Sequence, residues 1–125
     1  MEFVPYNPNP TKKNVGDCTV RAISKATNQS WEQTYIELAL RGFMMGDMPS
    51  ANAVWGADLK RNGYIRRIIP ENYPDFYTVR NFADDHPNGT YILALSGHVV
   101  CIIDGVLYDS WDSSGEIPIY FWRKE

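Results

Sequence analysis

The chain has 125 residues, of which 44% are hydrophobic, and this is enough apolar material for the core of one domain. Its formal net charge of -3 argues against a general attraction to nucleic acid or to a membrane surface. Two cysteines are too few for a disulfide framework, no Cys/His spacing is typical of a metal site, and no apolar run could cross a bilayer. We therefore expect a cytoplasmic protein with reduced thiols, no cofactor and no metal.

The first thirty residues predict an extended arm and then a helix. Three prolines within residues 1–10 favour extended backbone. Asp17 is a predicted N-cap, and apolar residues at helical spacing follow it through about Thr27. We therefore expect the first helix to begin directly after Asp17.

Two further helices are predicted between residues 30 and 63. Ser30 and Gln33 have the spacing of a capping box and open a second helix, which we expect to end near Gly42. Ser50 is the predicted cap of a third helix that stops at residues 62–63. A strand over residues 64–69 follows, and a short fourth helix is predicted from a cap at residue 78.

The C-terminal third predicts strands. Residues 91–95 and 99–103 are apolar runs, and the second is apolar on both faces and so central. Residues 104–105 are Asp-Gly, a strong signal for a two-residue hairpin turn into a strand over residues 106–111. A last strand covers residues 117–122, where a proline indicates a sheet edge. The pattern predicts one α+β domain over the whole chain, with N-terminal helices packed on a C-terminal antiparallel sheet.

Cys18 takes the first position of the first predicted helix. Unpaired backbone N–H groups and the positive end of the helix dipole favour a thiolate there, and such thiols have lowered pKa values. The alternative is a small buried helix residue, because free cysteines commonly fill cores.

The predicted hairpin brings a histidine and an aspartate together. With the turn at residues 104–105, Asp109 lies opposite Val100 and is a diagonal neighbour of His98 on the same face. We expect Asp109 to bind His98 and fix its tautomer, which leaves the other ring nitrogen for Cys18. The alternative is a histidine that only bonds to backbone or ends a strand.

Three other residues receive structural assignments. Trp111 is expected to shield the aspartate–histidine pair from water, with simple core packing as the alternative. Cys101 lies three residues after the strand histidine, so it points to the other face and is assigned to the core. His86 precedes a proline at a predicted helix end, where a contact with the helix dipole explains it.

These motifs resemble those of papain-like cysteine peptidases. The chain order of Cys18, His98 and the segment Asp109–Trp111 matches, and Asp-Ser-Trp is similar to the family's Asn-Ser-Trp, whose asparagine orients the catalytic histidine. Bacteriocin-processing peptidases, with aspartate in third place, look like closer relatives in chemistry. The arrangement also resembles small papain-like proteins encoded by phages and bacteria. The resemblance implies a minimal papain-like domain over residues 1–125.

The resemblance also implies a function. Cys18 would be the nucleophile, His98 the general base and acid, and Asp109 the residue that orients it, in a hydrolase that cleaves a peptide or isopeptide bond. The family has a glutamine before the cysteine as an oxyanion donor. Asn14 or Lys12 could serve here, together with the backbone N–H of the cysteine. The same triad can perform glutamine deamidation or acyl transfer.

The second functional hypothesis is a catalytically silent papain-fold protein that binds a host or other partner protein. Its candidate contact residues lie in and before a glycine-containing loop: Phe43, Met44, Met45 and Met48. Methionine suits an adaptable apolar contact. The alternative is that these side chains pack onto the helices.

Overall fold

The computed structural model describes residues 1–70 and 75–125, and the chain there forms four helices and six strands. The helices are α1 Cys18–Thr27, α2 Trp31–Met45, α3 Asn52–Arg61 and α4 Val79–Asp85. The strands are β1 Glu2–Pro5, β2 Tyr64–Ile68, β3 Thr90–Leu95, β4 His98–Ile103, β5 Val106–Asp109 and β6 Tyr120–Lys124. Helices dominate the first half and strands the second, so the predicted α+β class is confirmed.

The six strands form one sheet in the order β1-β5-β4-β3-β6-β2. The prediction of a wholly antiparallel sheet is wrong at one edge, because β1 pairs with β5 in parallel. The backbone N–H of Tyr6 continues this pairing by donating to the carbonyl of Asp109 at 2.8 Å. The extended arm therefore contributes an edge strand, whereas β4 lies inside the sheet as expected.

The strands near the C-terminus differ from their predicted bounds. β5 ends at Asp109 rather than at residue 111. β6 begins at Tyr120 and lies between β3 and β2, so the predicted edge position for this segment is wrong. Pro118 precedes the strand and therefore removes no hydrogen bond from its ladder.

The helix starts follow the predicted caps more closely than the helix ends do. The hydroxyl of Ser30 accepts from the backbone N–H of Gln33 at 3.0 Å, but the Gln33 side chain donates to Glu37 instead of completing the capping box. α2 continues through Gly42 to Met45, and Gly46 caps its C-terminal end with φ +69°. A Cβ at Gly42 would lie 2.7 Å from the backbone oxygen of residue 47, so glycine there permits the returning loop to approach the helix. α3 begins one residue later than predicted, after Ala51.

Two apolar clusters hold the sheet between the helices. One joins α1, α2 and α3 to the sheet and includes Trp55, Val99 and Cys101. The other joins α4 to the opposite side of the sheet and includes Phe82 and Val100. Cys101 is fully buried, as its assignment to the core predicts. None of the helices in the described residues is long and apolar enough to span a membrane.

Candidate active site

Three elements bring Cys18, His98 and Asp109 to one end of the sheet. Cys18 begins α1, His98 begins β4, and Asp109 ends β5. At the hairpin turn, Asp104 has φ +51° and Gly105 has φ +77°. A turn of this kind needs positive φ at both positions, which aspartate and glycine adopt more readily than most residues. The turn sets the predicted register between β4 and β5, in which residue 103 pairs with 106 and residue 101 with 108. A local turn signal therefore fixes where the aspartate lies relative to the histidine.

The carboxylate of Asp109 holds the imidazole of His98. Nε2 of His98 and Oδ2 of Asp109 are 2.7 Å apart, and Ser113 donates its hydroxyl to the same oxygen at 2.7 Å. The backbone N–H of Ser110 donates to Oδ1, also at 2.7 Å. Burial raises the pKa of Asp109, but these hydrogen bonds outweigh it and the pKa lies below its ordinary value. Asp109 is therefore a buried anion with its charge directed at the histidine.

The remaining side of His98 interacts with the thiol of Cys18. Burial raises the pKa of Cys18, but hydrogen bonds from His98 and the backbone of Val99, with the imidazolium charge, lower it below its ordinary value. Burial lowers the pKa of His98, but the hydrogen bonds to Asp109 and Cys18 raise it to about 9. These opposite shifts favour a thiolate–imidazolium pair near neutral pH.

Trp111 covers one side of His98. The two rings are stacked with centroids 5.2 Å apart. The indole is 46% exposed, so the alternative of simple core packing is wrong. Its position fits the predicted cover over the aspartate–histidine pair, while its other side meets solvent.

The charged partner that the sequence analysis missed is Arg21. Its guanidinium donates from Nη2 to Oδ1 of Asp109 at 3.2 Å and from Nη1 to Oδ1 of Asp17. Asp17 precedes α1 as predicted but makes no side-chain cap bond, because its carboxylate instead accepts from Arg21 and from the indole N–H of Trp31 at 2.9 Å. The i,i+4 spacing of Asp17 and Arg21 was the available signal.

The predicted oxyanion donors are less defined than the triad. Asn14 has an exposed side chain, and the Lys12 ammonium donates to the carbonyl of Asn7 at 3.1 Å. The backbone N–H of Cys18 is the first of the helix and has no acceptor within it, since the first turn of a helix leaves its donors unpaired. A role for Asn14 as an oxyanion donor stays a prediction.

Two cavities lie near the site. One of about 380 Å³ is lined by His98, Trp111 and Glu116 among others. Another of about 500 Å³ adjoins the start of α1 and is lined mainly by apolar side chains, including Val20 and Trp31. The first cavity therefore reaches His98, whereas the second lies beside residues 16–20 next to the thiol.

Two predicted structural residues lie apart from the triad. Cys101 is fully buried in β4, and burial raises the pKa of its thiol. His86 follows the last residue of α4, where its Nδ1 forms a 2.8 Å hydrogen bond with the carbonyl of Phe82 and its ring stacks on that side chain.

Across residues 1–70 and 75–125, no group of three or more His, Cys, Asp or Glu side chains is placed to hold a metal.

Comparison with known proteins adds no family to these observations. No family model matches the chain, and neither does any curated protein or solved structure. Functional inference therefore depends on the geometry and charge of Cys18, His98 and Asp109.

Proposed function

We propose that the protein is a cysteine-nucleophile hydrolase that cleaves a peptide or isopeptide bond through Cys18, His98 and Asp109. The observation that carries this proposal is the 2.7 Å contact between Nε2 of His98 and a buried carboxylate, beside a thiol whose pKa the same imidazole lowers. A structural histidine needs no thiol partner, and a core cysteine has no reason to carry a lowered pKa. Perturbed titration of two adjacent groups beside a cavity is typical of functional sites.

The first half of the reaction forms a thioester. The Cys18 thiolate attacks the carbonyl carbon of the scissile amide, and the negative charge moves to the carbonyl oxygen. The backbone N–H of Cys18 supports that oxyanion, with Asn14 as the proposed second donor. His98, protonated in the resting pair, gives its proton to the leaving amine as the C–N bond breaks.

The second half regenerates the thiol site. Neutral His98 takes a proton from water, whose oxygen attacks the thioester carbonyl carbon. The C–S bond breaks, Cys18 leaves as the thiolate, and the acid product departs while His98 keeps the proton. Asp109 stays ionised and holds the ring through both halves, because its role is orientation and charge balance.

A papain-like family assignment is part of the proposal. The order of Cys18, His98 and Asp109 along the chain supports it, and so does the nucleophile at the start of a helix packed against the sheet. The stacking of Trp111 on the histidine agrees with the resemblance of the Asp-Ser-Trp segment. Deamidation and acyl transfer use the same intermediate and differ in the leaving group or the acceptor.

The experiment that tests the hydrolase is product analysis in ¹⁸O-labelled water. The protein is incubated with a peptide mixture and with peptides that carry Nε-acylated lysine, and products are identified by mass spectrometry. We expect new carboxyl groups that contain ¹⁸O with wild type and with Cys101→Ala, and none with Cys18→Ala. Products that Cys18→Ala forms at the wild-type rate would contradict the proposal. Acyl products without ¹⁸O would assign the site to acyl transfer.

A specific observation favours partner binding as the second candidate function. Phe43, Met44 and Met48 are 84%, 76% and 67% exposed, so the alternative in which they pack onto the helices is wrong. An exposed apolar group of this kind is typical of a contact surface. Binding of a partner by both wild type and Cys18→Ala, but not by Phe43→Ser, would support this function and leave the thiol without a role in it.

A further inference from the structure

Arg21 is a buried positive charge beside the candidate site. It lies one turn after Cys18 in α1, and its residue is only 5% exposed. Its two terminal nitrogens donate to different carboxylates, Asp17 and Asp109, whose side chains are almost fully buried. Burial removes the guanidinium from water, and the contacts that it makes must compensate for that desolvation.

The arrangement links the helix of the nucleophile to the carboxylate of the triad. Asp109 uses Oδ2 for His98 and Ser113, and Oδ1 remains for Arg21 and the backbone of Ser110. The arginine therefore contacts the oxygen that the histidine does not use. Because Arg21 and Cys18 share one helix turn, the planar guanidinium fixes the distance between the two ends of the triad.

The charges around the thiol also require a cation. With Cys18 as thiolate, three anions lie together: the thiolate, Asp17 directly before α1 and Asp109 at the end of β5. His98 from β4 supplies one positive charge and Arg21 supplies the second. Without Arg21, one imidazolium would face three anions, and the thiolate is the one of the three that protonates most readily.

We propose that Arg21 is a positioning residue of this site, which holds Asp109 against the helix of Cys18 and balances the Asp17 carboxylate so that the thiolate–imidazolium pair is maintained. The inference rests on the proposed function, because it assigns a role within the same site. Arg21 acts through Asp109 and Asp17 and touches no reacting atom, so it is not a catalytic residue.

The test is the pH dependence of iodoacetamide alkylation at Cys18, measured by mass spectrometry in the full chain. Arg21→Gln removes the charge, whereas Arg21→Lys keeps it without the two-pronged geometry. Arg41→Gln is the matched control, because Arg41 pairs with Asp58 at 3.5 Å in a helix pair away from the site. Circular dichroism and urea unfolding show whether each variant is folded at the temperature of the alkylation assay.

The expected result is a shift of the profile to higher pH in Arg21→Gln, with alkylation at pH 6 slowed by about threefold or more. The shift should be smaller than that of about 1–3 units from a charge adjacent to the thiol, because Arg21 acts through Asp17 and Asp109. Arg21→Lys should recover part of the shift, and Arg41→Gln should match wild type. Overlapping wild-type and Arg21→Gln profiles would overturn the proposal. If Arg21→Gln does not fold, an Arg21→Lys profile identical to wild type, with an equally fast rate, would overturn the geometric role.

The same experiment separates this inference from the proposed function. An ordinary thiol profile at Cys18 in wild type would remove the nucleophile site itself. A low-pH profile in wild type that is unchanged by Arg21→Gln would keep the nucleophile and remove only the role of Arg21.

Discussion

The two cysteines lie in adjoining parts of one packed core and have opposite chemical environments. Cys18 opens α1, is partly exposed, and packs against the cluster in which Cys101 is fully buried. The pKa of Cys18 is lowered because His98 and the backbone of Val99 outweigh burial. The pKa of Cys101 is raised because burial dominates, with only the distant charge of Lys25 to oppose it.

The difference between these regions shows which interactions lower the pKa of a thiol and which raise it. Cys101 is close to His98 along the chain, three residues after it in β4, whereas Cys18 is close to His98 in space. Alternation along the strand directs Cys101 away from the histidine, whereas the start of α1 directs Cys18 toward it. Cys101 is therefore an internal reference for reactivity at Cys18.

His98→Ala should produce the largest loss of contrast between the two thiols. Without the imidazolium, only the weaker hydrogen bonds of Val99 and Thr19 offset the burial of Cys18, and its thiolate fraction at pH 6 should fall by about a hundredfold. The rate of Cys18 alkylation in the native protein measures this directly, with the buried Cys101 as the thiol expected to stay unmodified. His86→Ala is the control, and an unchanged rate in His98→Ala would show that the histidine does not activate the thiol.

Cys18→Ala should reveal the coupling of His98 to stability. The folded pKa of His98 is raised to about 9, so its contribution is complete below about pH 6.5 and lost as pH rises through about 9. In wild type, the lowered pKa of Cys18 opposes this trend, because its contribution is lost as pH falls. Because Asp109 and Cys18 together raise the pKa of His98, removal of Cys18 should leave only the part due to Asp109, and the free energy of unfolding should decline by about 1 kcal/mol as pH rises from about 6.5 toward 9.

Urea unfolding at several pH values measures that decline. The double variant Cys18→Ala/His98→Ala is the control and should lack it. The same decline in both variants would assign it to other titrating groups.

Cys101→Ser should destabilise the fold by about 1–2 kcal/mol, because it places a hydroxyl in an apolar cluster. The same substitution at Cys18 should cost less, since that side chain is partly exposed. Urea unfolding of both serine variants at pH 7 compares them, and a larger cost at Cys18 would be inconsistent with the assignment of Cys101 to the core.

Trp111→Ala should have the smallest effect, a decrease of about three- to fivefold in Cys18 alkylation at pH 6. Water then reaches one side of His98 and weakens its bond to Asp109 through screening. Phe43→Ala is the control, because it removes another exposed aromatic side chain from a distant helix end. Equal alkylation rates in wild type, Trp111→Ala and Phe43→Ala would show that Trp111 does not support the reactivity of Cys18.

The site was predictable where local signals decide it. The Asp-Gly turn fixes the register that places Asp109 beside His98, and the sequence around Cys18 contains a helix start. Arg21 was not predictable in the same way, because helix arginines are usually solvated and its partner Asp109 lies 88 residues away. Asn14, placed only by resemblance, has an exposed side chain and no structural support as an oxyanion donor beyond its position in the sequence.

The fold shows the same limit. The parallel pairing of β1 with β5 joins residues about a hundred positions apart, and the proline-containing arm has no alternating pattern that predicts it. The shift of β6 past Pro118 and the continuation of α2 through Gly42 both depend on tertiary packing. Turns and helix starts are encoded within a few residues, whereas helix ends and edge strands depend on distant parts of the chain.

The most direct test of the nucleophile site is the pH profile of alkylation at Cys18 in a Cys101→Ala background. We predict a reactive thiolate that persists well below pH 8 and a second transition near pH 9 as His98 loses its proton. A single transition near the ordinary thiol value of about 8.5 would contradict this prediction and make Cys18 a structural residue.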